Sequence, residues 1–173
     1  MTPLFVPFST AAPSTAAVLA VDGAVAGARA IYSHWQGNHT TPAELSADTS
    51  TGMLVRAACD APRWLAPFSV ACNNHVDADG LLSLLCACRP DLALRHAPLL
   101  IAAATAGDFT TWTGESAFRL VVRLHQRIRT EQAGGAGWEQ RAMDAVIASA
   151  DDLLASDDDS PNADEFLLER NAA

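Results

Sequence analysis

Between Phe68 and Pro90 the chain reads FSVACNNHVDADGLLSLLCACRP and changes character twice within a few residues. An apolar run, Phe68 to Cys72, ends in the polar burst Asn73, Asn74, His75, Val76, Asp77, Ala78, Asp79 and Gly80, and an apolar helical run from Leu81 to Cys88 follows without a spacer. Buried strand, exposed loop and buried helix in immediate succession leave few architectures. Open α/β sheets are built this way, and they place ligands just beyond the carboxyl ends of their strands. His75, Asp77 and Asp79 are nitrogen and oxygen donors at such an end, which makes a metal site the first hypothesis.

The same punctuation recurs upstream. Ala16 to Val21 is a short buried strand that stops at Asp22-Gly23, and the apolar run Ala28 to Tyr32 stops at Ser33, His34 and Trp35. Residues 1–15, rich in Pro, Ser, Thr and Ala, are read as surface chain, with Leu4, Phe5, Val6 and Phe8 able to tuck in. Thr41 is expected to cap one helical turn with Pro42 in its first position. Asp48-Thr-Ser-Thr51 opens a helix that runs to about Cys59, and Asp60 to Pro67 is a connector. Beyond Pro90, Asp91 to His96 is a short helix. Leu99 to Thr105 is too short for periodicity to decide and is assigned to helix, ending at Gly107-Asp108-Phe109.

Glu115 to Gln132 is the clearest amphipathic helix, with Ala117, Val121, Leu124 and Ile128 on one side and Arg119, Arg123 and Arg127 as a stripe on another. A last helix spans Trp138 to Ala155. The expected fold is α/β, a mostly parallel sheet flanked by helices with a helical C-terminal part. It forms one domain over residues 1–155, with its core at about 16–133, and residues 156–173 form an acidic, flexible tail.

Composition narrows the function. The chain has no lysine, and its formal charge of −9 is uneven: residues 139–173 hold ten acids against two arginines, leaving ten against nine before them. The near-neutral working part argues against broad nucleic-acid binding, which needs a basic face, but allows a local arginine contact to an anion. No apolar run is long enough to cross a membrane and no leader pattern opens the chain, so a cytoplasmic protein is expected. The four cysteines lack a CxxC spacing and read as reduced thiols of the core.

His75-Val-Asp77-Ala-Asp79-Gly80-Leu-Leu-Ser83 resembles the H-x-D-x-D-G-x-x-S signature of the DHH phosphoesterase superfamily. Further pieces of that pattern have counterparts here. Asp22 ends a strand, Ser33-His34-Trp35 stands where an Asp-His-His triplet would, Ser50-Thr51 opens a helix, and Asp108-Phe109 follows LLIAAATAG. The His/Asp/Asp segment comes third rather than first, which implies a circularly permuted arrangement. The chain is also similar to an uncharacterised bacterial family with the same VDG, SHW, DTST and HxDxDG pieces. Ser33 and Trp35 depart from the triplet, and beyond Asp108 the sequence reads as two helices and an acidic tail where that superfamily usually adds a substrate-binding domain. That half is therefore expected to be reduced, supplied by another chain, or dispensed with as the activity has moved.

The resemblance implies a divalent-metal-dependent hydrolase of a phosphate ester or small nucleotide. Its metal ligands would be Asp22, His75, Asp77, Asp79 and Asp108, with His75 and His34 touching reacting or phosphate oxygens. Carboxylates with imidazole suit Mn²⁺ or Mg²⁺ better than zinc, and iron is also compatible. An Asp shared by two ions, Asp79 or Asp22, would hold them about 3.5–4 Å apart around a hydroxide. Arg119 or Arg123 would neutralise an anionic small-molecule substrate. Each residue has a plainer role too: Asp79 as a helix cap, His75 with Asp77 as a loop pair, Asp22-Gly23 as a turn, Arg119 and Arg123 as a solvated face, His39 and His125 as surface residues, Trp35 and Trp112 as lids over a core. Convergence of the acids on one sheet edge favours a cation among them. Two other readings stay open: a metal-dependent enzyme of small-molecule metabolism that is no phosphoesterase, and a non-catalytic partner subunit. A homodimer is expected.

Overall fold

In the computed structural model, which describes residues 1–38 and 41–155, one sheet holds four parallel strands. They are β1 (Thr2–Phe5), β2 (Val18–Val21), β3 (Ala30–Tyr32) and β4 (Val70–Asn73), in the order β1-β4-β2-β3. The register places Ala20 beside both Ile31 and Cys72, so β2 and β4 form the centre, with β2 buried throughout and β4 from Ala71 on. The readings made for His39 and for the acidic tail lie outside the described residues.

Around the sheet run α1 (Ser50–Cys59), α2 (Ala61–Trp64), α3 (Ala78–Cys88), α4 (Pro90–Arg95), α5 (Ala97–Phe109), α6 (Glu115–Ala133), α7 (Trp138–Ala148) and α8 (Ala150–Ala155). The fold is therefore α/β with a parallel sheet. Side chains alternate across each strand, and the two faces are covered differently. Leu19, Val21, Tyr32 and Ala71 share one core with helix residues such as Leu54, Leu81, Leu85, Leu100, Leu124 and Met143. On the opposite face Val18, Ala20 and Cys72 meet Val6, Ala12 and Val25 from loops, with no helix residue in that cluster. No helix among the described residues is long and apolar enough to cross a membrane.

Four local expectations are corrected. Residues 2–5, read as surface chain, form the edge strand β1; Pro3 is tolerated there because an edge strand leaves one row of backbone groups outside the ladder. That row is met by α7, where Phe5 N–H donates to Gln140 Oε1 (2.8 Å) and Gln140 Nε2 donates to the Pro3 carbonyl (3.2 Å). The connector after Asp60 contains the short helix α2, with a proline in its first turn. The final helix breaks at Ser149, whose Oγ donates to the Ala145 carbonyl at 2.7 Å and competes with the helical ladder. Thr41 caps no helix: its Oγ1 donates to the Ile31 carbonyl and accepts from Ser33 N–H, while a single 3₁₀ turn covers Ala43–Leu45.

Candidate metal centre

All the acids singled out in the sequence meet at the carboxyl edge of the sheet or beside it. Asp22 follows β2, His34 follows β3, and His75, Asp77 and Asp79 lie on the β4–α3 turn and the first turn of α3. Asp108 arrives on the last turn of α5, the helix expected over Leu99 to Thr105. The parallel strands decide this convergence, because each then delivers its carboxyl end to the same edge.

Asp79 is the most tightly held. It is fully buried, and its two oxygens accept the backbone N–H groups of Ser50 (2.7 Å) and Thr51 (2.8 Å) at the start of α1. A helix N-terminus favours a carboxylate through its free N–H groups and dipole. Burial by itself would raise this carboxyl, but bonds from His34, Thr51 and Ser50 outweigh it and hold Asp79 below the usual carboxylate range. The cap of α3 is Asp77, whose Oδ1 accepts Gly80 N–H at 2.8 Å, while α1 is capped by Thr49. Asp79 thus ties the N-terminus of α1 to that of α3.

Asp22 stands between two histidines. Its Oδ1 accepts Ser50 Oγ–H at 2.8 Å and lies 3.6 Å from His34 Nδ1, and its Oδ2 lies 2.9 Å from His75 Nε2. Burial raises its carboxyl, partly offset by the His75 bond, with Asp79 and Asp77 adding repulsion. Its backbone is left-handed, at φ 62°, which for a residue other than glycine costs of order 1–3 kcal/mol.

His75 is oriented from behind. Asn74 Nδ2 donates to the Ala24 carbonyl, so its Oδ1, 2.9 Å from His75 Nδ1, accepts the ring proton there. Nε2 is then turned toward Asp22 and Asp77 Oδ2, 3.3 Å away, in the way an outer hydrogen bond fixes a ligating imidazole. Burial works against charge on this ring, yet Asp22 and Asp77 outweigh it and hold it protonated up to about 10. His34 Nδ1 lies 3.3 Å from Asp79 Oδ2 and 3.0 Å from Ser50 Oγ, and its Nε2 faces Asp108 Oδ2 at 3.6 Å. The Asp79 bond chiefly raises its affinity for a proton. Burial, with repulsion from Asp79, Asp77 and Asp22, pushes Asp108 up to about 7.

Among the described residues two groups have the spacing of metal ligands: Asp22, His75 and Asp77, and Asp22, His34 and Asp79, each with its donor atoms within 4.8 Å of one another. Asp22 belongs to both. The donors are hard oxygens with imidazole, the set that suits Mn²⁺, Mg²⁺ or iron. Cys72 stays a thiol, since burial pushes it up to about 12. A further observation fits a guest in this site. Asn73 is fully buried, its Oδ1 is taken by Asn74 N–H, and its Nδ2 has no partner among the described residues. A Cβ at Gly80 would meet that Nδ2 at 2.3 Å, Asp77 Oδ1 at 3.0 Å and Asp22 Oδ2 at 3.2 Å, so the orphan donor and two carboxylates crowd one point of the site wall.

A cavity of about 370 Å³ opens over the cluster, lined by His34, Trp35, Asp77, Ala78, Gly107, Asp108, Phe109 and His125. Arg119 and Arg123 are not among its walls. Arg119 pairs with Glu115 on its own helix, and Arg123 donates to the Leu153 carbonyl at 2.9 Å beside a groove near α8. His125, read as a surface residue, lines the cavity instead; no local pattern marks it, because only the packing of α6 on α5 brings it there. The sequence marks Ser50 only as the opening of a helix, and Asn73 and Asn74 only as part of the polar burst. Their signal was position, at a helix start and at a strand end.

A family model described as a family of unknown function (DUF6687) matches residues 1–156. No curated protein and no solved structure matches the chain.

Proposed function

The chain belongs to the DUF6687 family, and from that premise of an unassigned activity we propose that it is a divalent-metal-dependent hydrolase of a phosphate ester or small nucleotide. The observation that carries this reading is Asp22 shared between two Asp/His/Asp groups. Bound divalent ions supply an activated water at neutral pH and neutralise charge on a phosphoryl group.

The residues divide that work. Asp22 presents one oxygen to each group, Asp79 and His34 Nδ1 complete one side, and Asp77 and His75 Nε2 complete the other. Asp79 is immobilised by α1, which keeps its oxygens aimed without reorganisation. His34 Nε2 and Asp108 border the cavity, 3.6 Å apart, within reach of a leaving oxygen held over the cluster. The arginines proposed for the substrate stand elsewhere, so among this chain's own side chains at the cavity the cationic contacts to a phosphoryl group would come from the histidines.

A second reading draws on Ser33, which stands where the triplet would carry an acid. Its Oγ donates to the Asp22 carbonyl (2.8 Å) and accepts Trp35 N–H (3.3 Å), so it supports the backbone and offers no carboxylate. That favours a single-metal enzyme of small-molecule metabolism. Calorimetric Mn²⁺ titration, with turnover of generic phosphomonoesters and diesters, separates the two. Asp22→Asn is expected to lose Mn²⁺ stoichiometry and to lower turnover on the order of 100-fold. A wild-type chain that binds no Mn²⁺, Mg²⁺ or iron overturns both readings; a metal-loaded chain inert toward phosphoesters favours the second.

A further inference from the structure

We infer that the substrate carries one flat ring next to its phosphoryl group, and that Trp35 and Phe109 at the mouth of the cavity receive it. This rests on the metal-dependent phosphoester reading and names the substrate class it leaves open. Trp35 and Phe109 are 50% and 51% exposed, two of the large apolar side chains that the fold leaves in water, and both line the cavity over the metal cluster. They stand against the two histidines of the site. The Trp35 indole lies 5.3 Å from the His75 ring, tilted at 45°, and the Phe109 ring lies 6.4 Å from that of His34, edge-on at 61°.

Neither residue is exposed by accident of a loose segment. The Trp35 backbone N–H donates to Ser33 Oγ, and Phe109 ends α5 immediately after Asp108. Scattered exposed aromatics are ordinary, but two at the rim of one polar site present apolar faces where a substrate must pass. A ring bound there leaves water and contacts aromatic faces, while the phosphoryl group reaches the carboxylate and histidine cluster. The cavity of about 370 Å³ sits at the small end of ligand sites, which fits a single ring and a single phosphoryl group rather than a polymer. Among the described residues no arginine lines it, and Trp35 and Phe109 are its large apolar side chains.

The test uses the full chain loaded with Mn²⁺ and two ligands that cannot be hydrolysed, phenylphosphonate and methylphosphonate, followed by calorimetry. Phenylphosphonate is expected to bind about tenfold tighter than methylphosphonate. In Trp35→Ala and in Phe109→Ala that preference shrinks to about twofold, with methylphosphonate and Mn²⁺ affinities unchanged, and Trp35→Phe restores it. Equal affinity for the two ligands in the wild type, or a preference that survives in both alanine variants, overturns the inference and leaves the metal reading standing. Binding of Mn²⁺ without binding of either phosphonate overturns the phosphoester reading and this inference together. If Trp35→Ala does not fold, Phe109→Ala at the helix end decides the matter alone.

Discussion

Gly80 shows how little room the site leaves at the scale of one residue. In a helix, alanine is favoured over glycine by about 0.8–1.0 kcal/mol, so propensity predicts that Gly80→Ala stabilises α3. The Cβ would stand 2.3 Å from Asn73 Nδ2 and 3.0 Å from Asp77 Oδ1, which predicts the opposite. Displacing a buried amide and a capping carboxylate costs about 1–3 kcal/mol, so the net effect is destabilisation with weakened Mn²⁺ binding. Urea unfolding and Mn²⁺ titration of the variant check this; a more stable variant with intact metal affinity would sink the packing account. Asp22 belongs to the same scale. Its left-handed backbone is a strain that an ordinary turn would assign to glycine, and here it aims a carboxylate between two histidines.

Elements are joined by side chains that imitate backbone. Gln140 of α7 closes the open row of β1 with one donor and one acceptor, as a further strand would. Gln140→Ala is expected to lower stability by about 1–2 kcal/mol. Gln140→Glu is expected to lower it by at least as much, because it keeps the acceptor for Phe5 N–H but sets a carboxylate oxygen against the Pro3 carbonyl and Asp144 Oδ1, to both of which Gln140 Nε2 donates. Hydrogen exchange should show the loss concentrated in residues 2–5. Uniform loss across the core would mean that Gln140 acts through packing of α7 instead. Asp79 plays the corresponding part between α1 and α3, but its bonds bring the site together as well as the fold.

For the whole molecule, the site makes stability depend on pH and metal in opposite senses. In the metal-free chain, Asp108 is raised to about 7, so its contribution is full below its unfolded value near 4 and is lost as pH rises through about 7. His75, raised to about 10, contributes fully below about 6.5 and loses that contribution toward 10. The melting temperature of the metal-free chain should therefore fall between pH 5 and pH 9, values set by these shifts. Saturating Mn²⁺ binds the deprotonated groups, so the stabilisation it adds should grow over the same range. Thermal scans with chelator and with Mn²⁺ measure both slopes; a metal-free melting temperature that rises with pH, or an Mn²⁺ increment that shrinks, would contradict the arrangement of charges described.

The strand–loop–helix at Phe68–Pro90 was legible in sequence, as were Asp22 and His34 at the ends of apolar runs, because short-range patterning alone determines where a strand stops and which donors follow it. That the helices cover one face of the sheet, that Pro3 lies in an edge strand, that α5 brings Asp108 to the same cluster and that His125 lines the cavity in place of Arg119 or Arg123 were decided by tertiary packing. The physical reason is the same in each case. Local sequence sets the periodicity of an element and the chemistry it carries, whereas the direction in which a helix presents a residue depends on which neighbour buries its apolar side.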